Sequence, residues 1–272
     1  MVLVMLSLYL TIHIPSASAA ITSYSCPESG THCYGINEWP GWMHGAITQI
    51  SVRGIGAGNG HLQNEIWVAD RNKSHSRVCI PYQGGNNGAC WVEAGYEAFG
   101  TEFSPPLENT ERWFWAEEKP GYHYAQYNSN PLATTPPGDG DYGYNVYVEI
   151  FLSGTDPDQV GWCPTVANEW CVDIEGNATS MVGWSVNNEM VPDSNNGEID
   201  IGMEVVGTSG ATAPNAEFIW NQFLHPITNA KEFQDQEGSG YIAQYPAVAY
   251  WPTPPVMGNQ GGDFRTCTTG RC

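Results

Sequence analysis

Two stretches of the chain alternate in the same way. In Cys90-Trp91-Val92-Glu93-Ala94-Gly95-Tyr96-Glu97-Ala98-Phe99, one side of an extended chain carries Val92, Ala94, Tyr96 and Ala98. The other side carries Trp91, Glu93, Gly95 and Glu97. In Gly197-Glu198-Ile199-Asp200-Ile201-Gly202-Met203-Glu204-Val205, the residues Ile199, Ile201, Met203 and Val205 share one face, and Glu198, Asp200, Gly202 and Glu204 share the other. Successive side chains of a strand point to opposite faces, so both segments read as half-buried strands, apolar behind and acidic in front. Glu93 stands between a Trp and a Gly, a setting in which a ligand or another backbone approaches closely.

The pattern predicts strands over 45–53, 64–70, 90–99, 111–117, 121–127, 143–153, 169–175, 180–187, 197–207 and 215–222. Turn-forming clusters separate them, as in Gly54 to Gly60, Gly84 to Gly88 and Pro136 to Asp141. Asn229 to Glu237 is the one segment read as a short helix. Many strands at short intervals with such turns point to an all-β fold, a two-sheet antiparallel β-sandwich of jelly-roll type with very little helix. Within 111–117, Trp113 and Trp115 share a face with Glu111 and Glu117; within 64–70, Trp67 shares one with Glu65. Large aromatics on acidic faces fit either a Trp-lined groove or a second small core under loops or the tail, and both readings stay open.

Composition narrows the classes. The chain of 272 residues opens with an apolar run, Val2 to Ile14, followed by small residues. This reads as a signal peptide over 1–19 and predicts a secreted protein. No other apolar run is long enough to span a membrane. An irregular, disulfide-tied segment is expected over 20–43, the sandwich over 44–242, and an extended tail packed on it over 243–272. With 9 Lys plus Arg against 29 Asp plus Glu, the net charge of −20 argues against nucleic acid or anionic membranes as partners. A monomer is expected. The eight cysteines, an even number in a secreted chain, read as disulfides. The simplest pairing is local: Cys26 with Cys33, Cys79 with Cys90, Cys163 with Cys171, and Cys267 with Cys272. Asn72 and Asn177 head glycosylation sequons. Metal-ligand spacings are lacking, and neither a metal nor a cofactor is expected.

Two carboxylates in a partly dry site cannot both ionise easily, so one is raised and the pair shares a proton. One member then activates a water while the other donates a proton. Such chemistry serves amide or glycoside hydrolysis. Competing nucleophiles have little support: GxSxG is absent, and His44, His61, His75, His123 and His225 lie in separate turns or strand ends, where each reads as a surface residue.

The order of motifs resembles the glutamic peptidases, of both the neprosin and the eqolisin type. The residues that carry the likeness are Trp91-Val-Glu93-Ala-Gly-Tyr96, Trp113-Phe-Trp115, Gly121-Tyr122, Tyr127-Asn128, Val182-Gly183-Trp184, Gly197-Glu198-Ile-Asp-Ile-Gly202 and Gly202-Met-Glu204-Val205. The resemblance implies a concanavalin-like sandwich and a secreted endopeptidase active at acid pH, cleaving beside proline. It makes Glu93 and Glu204 the catalytic dyad and a polypeptide the substrate. Trp91, Trp113 and Trp115 would wall the site, and Glu198 and Asp200 would line it for substrate; Glu97→Gln and Glu198→Gln would leave turnover nearly unchanged. The alternatives are a secreted glycan-binding or glycan-active sandwich, with a polysaccharide as partner and Trp67, Trp113 and Trp115 stacking on sugars, and an extracellular structural protein.

Overall fold

The computed structural model describes residues 21–25, 32–40, 44–51, 58, 60–70, 90–100, 111–119, 123–128, 145–154, 162–164, 169–175, 180–185, 190, 197–206, 216–224, 233–235, 240–245, 248–250 and 264–267. Every regular element among them is a strand: β1 (Ile21–Ser25), β2 (His32–Pro40), β3 (Gly45–Ser51), β4 (His61–Asp70), β5 (Cys90–Phe99), β6 (Glu111–Lys119), β7 (His123–Asn128), β8 (Asn145–Leu152), β9 (Trp170–Glu175), β10 (Ser180–Ser185), β11 (Gly197–Val206), β12 (Ala216–Leu224), β13 (Phe233–Asp235), β14 (Gly240–Tyr245), β15 (Val248–Tyr250) and β16 (Phe264–Cys267). They form a two-sheet β-sandwich. The first sheet runs β1-β14-β2-β11-β4-β5-β6-β7, and the second β10-β9-β8-β3-β12-β16-β15, with β13 beside β12. All pairings are antiparallel except that of β1 with β14.

The alternation explains the core. Ile199, Ile201, Met203 and Val205 of β11, Ile66 and Val68 of β4, and Val92, Ala94 and Tyr96 of β5 are buried on the inner face of the first sheet. They meet Val148 and Ile150 of β8, Val172 and Ile174 of β9, and Phe218 of β12 from the second. Burying each of the Ile, Val, Met and Phe side chains among them contributes about 1.5–3 kcal/mol. Gly183 of β10 makes room for Trp115 of β6, since a Cβ there would stand 2.3 Å from the indole ring. Beside them Ser185 donates to the buried Glu117 carboxylate, which also pairs with Lys119 at 3.1 Å, so a polar clasp joins the two sheets.

Several expectations change here. The segment read as irregular, 20–43, contributes β1 and β2, and β2 lies directly beside β11. The tail contributes β15, β16 and the second half of β14, which pair within both sheets. A strand, β13, occupies the middle of the segment read as a helix, because its backbone pairs with Gln222, Phe223 and Leu224 of β12. Tertiary pairing overrides a weak local preference. Cys163 and Cys171 form the expected disulfide, packed with Phe151 and Trp162 in a small cluster of its own. Cys33 and Cys90 are each engaged in a disulfide as well, with partners outside the described side chains. Cys26, Cys79, Cys272, Asn72, Asn177 and the segment 1–19 lie outside the described residues, as does the side chain of Cys267.

Candidate functional site

The outer face of the first sheet is built in rows across its strands. One row runs Tyr34, Glu204, Gln63, Glu97, Arg112. The next runs Ile36, Gly202, Glu65, Gly95, Phe114, and the third contains Asp200, Trp67, Glu93 and Ala116. Glu204, Glu65 and Glu93 therefore lie on a diagonal over three adjacent strands, β11, β4 and β5. The glycines on either side of Glu65 place no side chain between it and the other two. Oxygens of the three carboxylates lie within 4.8 Å of one another. All three residues are buried, with Glu93 8 %, Glu65 5 % and Glu204 5 % exposed.

Each carboxylate has its own partners. Glu204 accepts from His32 Nδ1 at the sheet's rim and from the Tyr34 hydroxyl. Glu65, in its protonated form, donates to Glu204. Glu93 accepts from the Gln63 amide. Burial, and then the charges of Glu93 and Glu204, push the Glu65 carboxyl well above the usual carboxylate range. Burial, then Glu204 and Glu97, do the same to Glu93, against the opposing bond from Gln63. Burial and the nearby carboxylates also raise the Tyr34 hydroxyl, so it remains a donor. The arrangement therefore holds protons between carboxylates at pH values where isolated ones would have lost them. Three oxygens so placed are also the donor type a hard divalent cation accepts. An acidic cluster alone does not make a metal site, and His32, Tyr34 and Gln63 already occupy oxygens of this one.

A second polar group lies one strand away. Glu97, fully buried, accepts from His61 Nε2 at 2.8 Å and from Gln126 Nε2 at 3.0 and 2.8 Å, with Arg112 beside it in the row. Tyr124 donates to Gln126 Oε1 at 2.6 Å. His61 stacks on Phe99, with ring centroids 4.6 Å apart. Burial raises the Glu97 carboxyl although His61, Gln126 and Arg112 oppose it. An aromatic wall borders Glu93: Trp67 is its Cα partner, Trp91 meets Trp67 edge-on at 6.4 Å, and Tyr124, exposed, lies 5.9 Å from Trp91.

Of the residues singled out from sequence, Glu93 and Glu204 come together, and Trp91 stands near them. Asp200 and Glu198 share their face, Asp200 separated from Glu93 by Trp67 and Glu198 in the row of Trp91. Trp113 and Trp115 do not wall this site. Their Cα partners are Tyr96 and Ala94 on the inner face, and both are core residues. Glu111 and Glu117 suggested an outward face for these tryptophans, but those acids ride on the inner side, Glu117 inside the inter-sheet clasp. His61 is no surface residue, being held by Glu97. Four contributors were not singled out as site residues: Glu65, Gln63, Tyr34 and His32. Glu65 was visible as the acid alternating with Trp67.

No protein-family model matches the chain, and no curated protein matches it. Among solved structures the chain is similar to scytalido-glutamic peptidase with a peptide-based transition state analog, at 9% identity, covering 87% of this chain and 98% of that chain with a TM-score of 0.45. It is also similar to SCP-B, a member of the eqolisin family of peptidases in a complex with the tripeptide Ala-Ile-His, at 12% identity, 87% and 98% coverage and a TM-score of 0.44.

Proposed function

We propose that the protein is a secreted glutamic endopeptidase in which Glu204 acts as base and Glu93 as acid on a bound polypeptide. The observation that carries the reading is the convergence of the buried Glu65, Glu93 and Glu204 carboxylates within 4.8 Å. The asymmetry of their partners supports the division of labour. Glu204 receives donors from His32, Tyr34 and Glu65, as an anion requires, whereas the surroundings of Glu93 favour its neutral form. A water between them gives a proton to Glu204 as its oxygen bonds to the peptide carbonyl carbon. Glu93 gives its proton to the carbonyl oxygen, which becomes a hydroxyl. When the C–N bond breaks, the amine leaves with the proton held by Glu204, and the hydroxyl returns its proton to Glu93. The motif around Glu93 and Glu204 described above supports the same assignment, and the neprosin-type likeness adds cleavage beside proline. Trp67, Trp91 and Tyr124 form the wall that a substrate side chain would meet.

The aromatic wall also favours a second reading, glycoside hydrolysis, in which sugars stack on those rings and the carboxylate spacing suits a retaining mechanism. Incubation of purified protein with denatured protein and with polysaccharide from about pH 3 to pH 7 separates the two. Peptide release at acid pH is expected, with Glu93→Gln and Glu204→Gln each reducing turnover by about 10²–10⁴-fold while the fold is retained. Proteolysis at the wild-type rate in the double variant overturns the assignment. Release of reducing sugar without peptide release transfers it to the second reading.

A further inference from the structure

We propose, resting on the peptidase reading above, that His32 is a positioning residue of the reaction, a solvent-facing cation that holds Glu204 in the ionised form a base must have. His32 opens β2, one row beyond Glu204, with Val206 as its Cα partner. From there Nδ1 reaches the Oε1 atom of Glu204. The two ends of this contact differ sharply in environment: the His32 side chain is 58% exposed and that of Glu204 6%. A ring partly open to water thus reaches a carboxylate shielded from it, beside the carboxylates of Glu65 and Glu93. Among the described residues near the trio, the other cationic or titratable bases are engaged elsewhere: His61 with Glu97 at 2.8 Å, and Arg112 beside Glu97.

The groups that face His32 are identifiable on each neighbouring element. On β2 it is Tyr34, whose ring lies 6.4 Å from that of His32. On β11 it is Glu204, and behind Glu204 stands Glu65 of β4; His61 of β4 shares the row of His32 with Val206 between them. The register of β14 against β2 runs from Glu38 to Gly35 and stops short of His32. Its bond with Glu204, together with that charge, raises the His32 ring above its ordinary value although burial opposes the shift. The ring is consequently cationic throughout the acid range in which the peptidase would work.

The role predicts which limb of the pH–rate profile His32 controls. The acid limb reports the base becoming ionised, and the alkaline limb reports the acid losing its proton. His32→Gln keeps a donor and removes the charge, so the acid limb of kcat/KM should move up by about one pH unit, with the alkaline limb in place. His32→Arg keeps the charge and should leave the acid limb at its wild-type position. A uniform loss of kcat with both limbs unmoved in His32→Gln, or an acid limb that shifts equally in both variants, overturns the proposal. Titration of the His32 ring by NMR tests the pairing without reference to activity. Its midpoint should fall in Glu204→Gln, and an unchanged midpoint overturns the pairing. If the wild-type protein cleaves no peptide while that midpoint still falls, the pairing stands and the peptidase reading fails.

Discussion

From the sequence, Glu97 is a residue whose change to Gln leaves turnover nearly unchanged. In the structure it is fully buried and accepts from His61 and Gln126. Hydrogen bonds to a buried charged group are worth about 1.5–3 kcal/mol, and leaving donors unpaired adds to the loss. Glu97→Ala should therefore lower the stability of the protein by about 1–3 kcal/mol, read from denaturant unfolding. Glu97→Gln should lower it less, since the amide oxygen still accepts. A Glu97→Ala midpoint equal to wild type would show that the network contributes nothing. The burial of Glu97 was not legible in its neighbours along the chain, because alternation reports a face and not what lies over that face.

At the scale of elements, the diagonal of carboxylates depends on strand spacing, and two glycines set it. A Cβ at Gly95 would stand 2.1 Å from the carbonyl oxygen of Asn64 and 2.8 Å from the Cα of Glu65. Gly202 has φ near +152°, and a Cβ there would stand 2.3 Å from the carbonyl oxygen of Gly35. Gly95→Ala must push β5 away from β4, and Gly202→Ala must push β11 away from β2. Each should reduce stability by about 1–3 kcal/mol and reduce turnover per folded molecule, measured by thermal melting and peptide cleavage on the same samples. Gly183→Ala, which crowds Trp115 in the core, should reduce stability and leave turnover per folded molecule unchanged. The two acidic strands were legible because one register of alternation satisfied all their positions at once: Ile199, Ile201, Met203 and Val205 inward, Glu198, Asp200 and Glu204 outward. β6 was misread because Glu111 and Glu117 lie on the same side as Trp113 and Trp115, and an acid inside a core shows only when its partners, Ser185 and Lys119, are in place. β2 was missed because cysteine and glycine obscured its period, and His32 and Tyr34 were missed with it. The meeting of Glu204 with Glu65 follows from the pairing of β11 with β4, which no local pattern encodes.

For the whole molecule, the raised carboxyls of Glu65 and Glu93 link folding to pH. A carboxyl raised in the folded state binds its proton more tightly there than in the unfolded chain. Its stabilising contribution is present in acid, below the unfolded carboxylate range, and is lost as pH rises through the folded value. The raised His32 ring acts in the same direction, its contribution present below the unfolded histidine value and lost as pH rises through its folded value. The net charge of −20 adds self-repulsion on the neutral side. Thermal stability should therefore be greatest in mild acid and fall toward neutrality. Glu93→Gln, whose amide cannot lose a proton, should flatten that fall. A stability curve that rises from pH 4 to pH 7, or one that Glu93→Gln leaves unaltered, would contradict the linkage.

The position of β11 also sets an order in time. Within the first sheet it lies between β2 and β4, strands made long before it during synthesis. His32 and Glu204 are 172 residues apart. Such distant pairings form late, because the entropy of closing long loops is lost before the contacts return it. A nascent chain can bring Glu65 and Glu93 side by side on β4 and β5, yet it lacks the base until residues 197–206 emerge and insert. In the proposed peptidase, hydrolytic competence therefore arrives with closure of the sheet, and the growing polypeptide is spared its own chemistry until most of it is already folded away from cleavage.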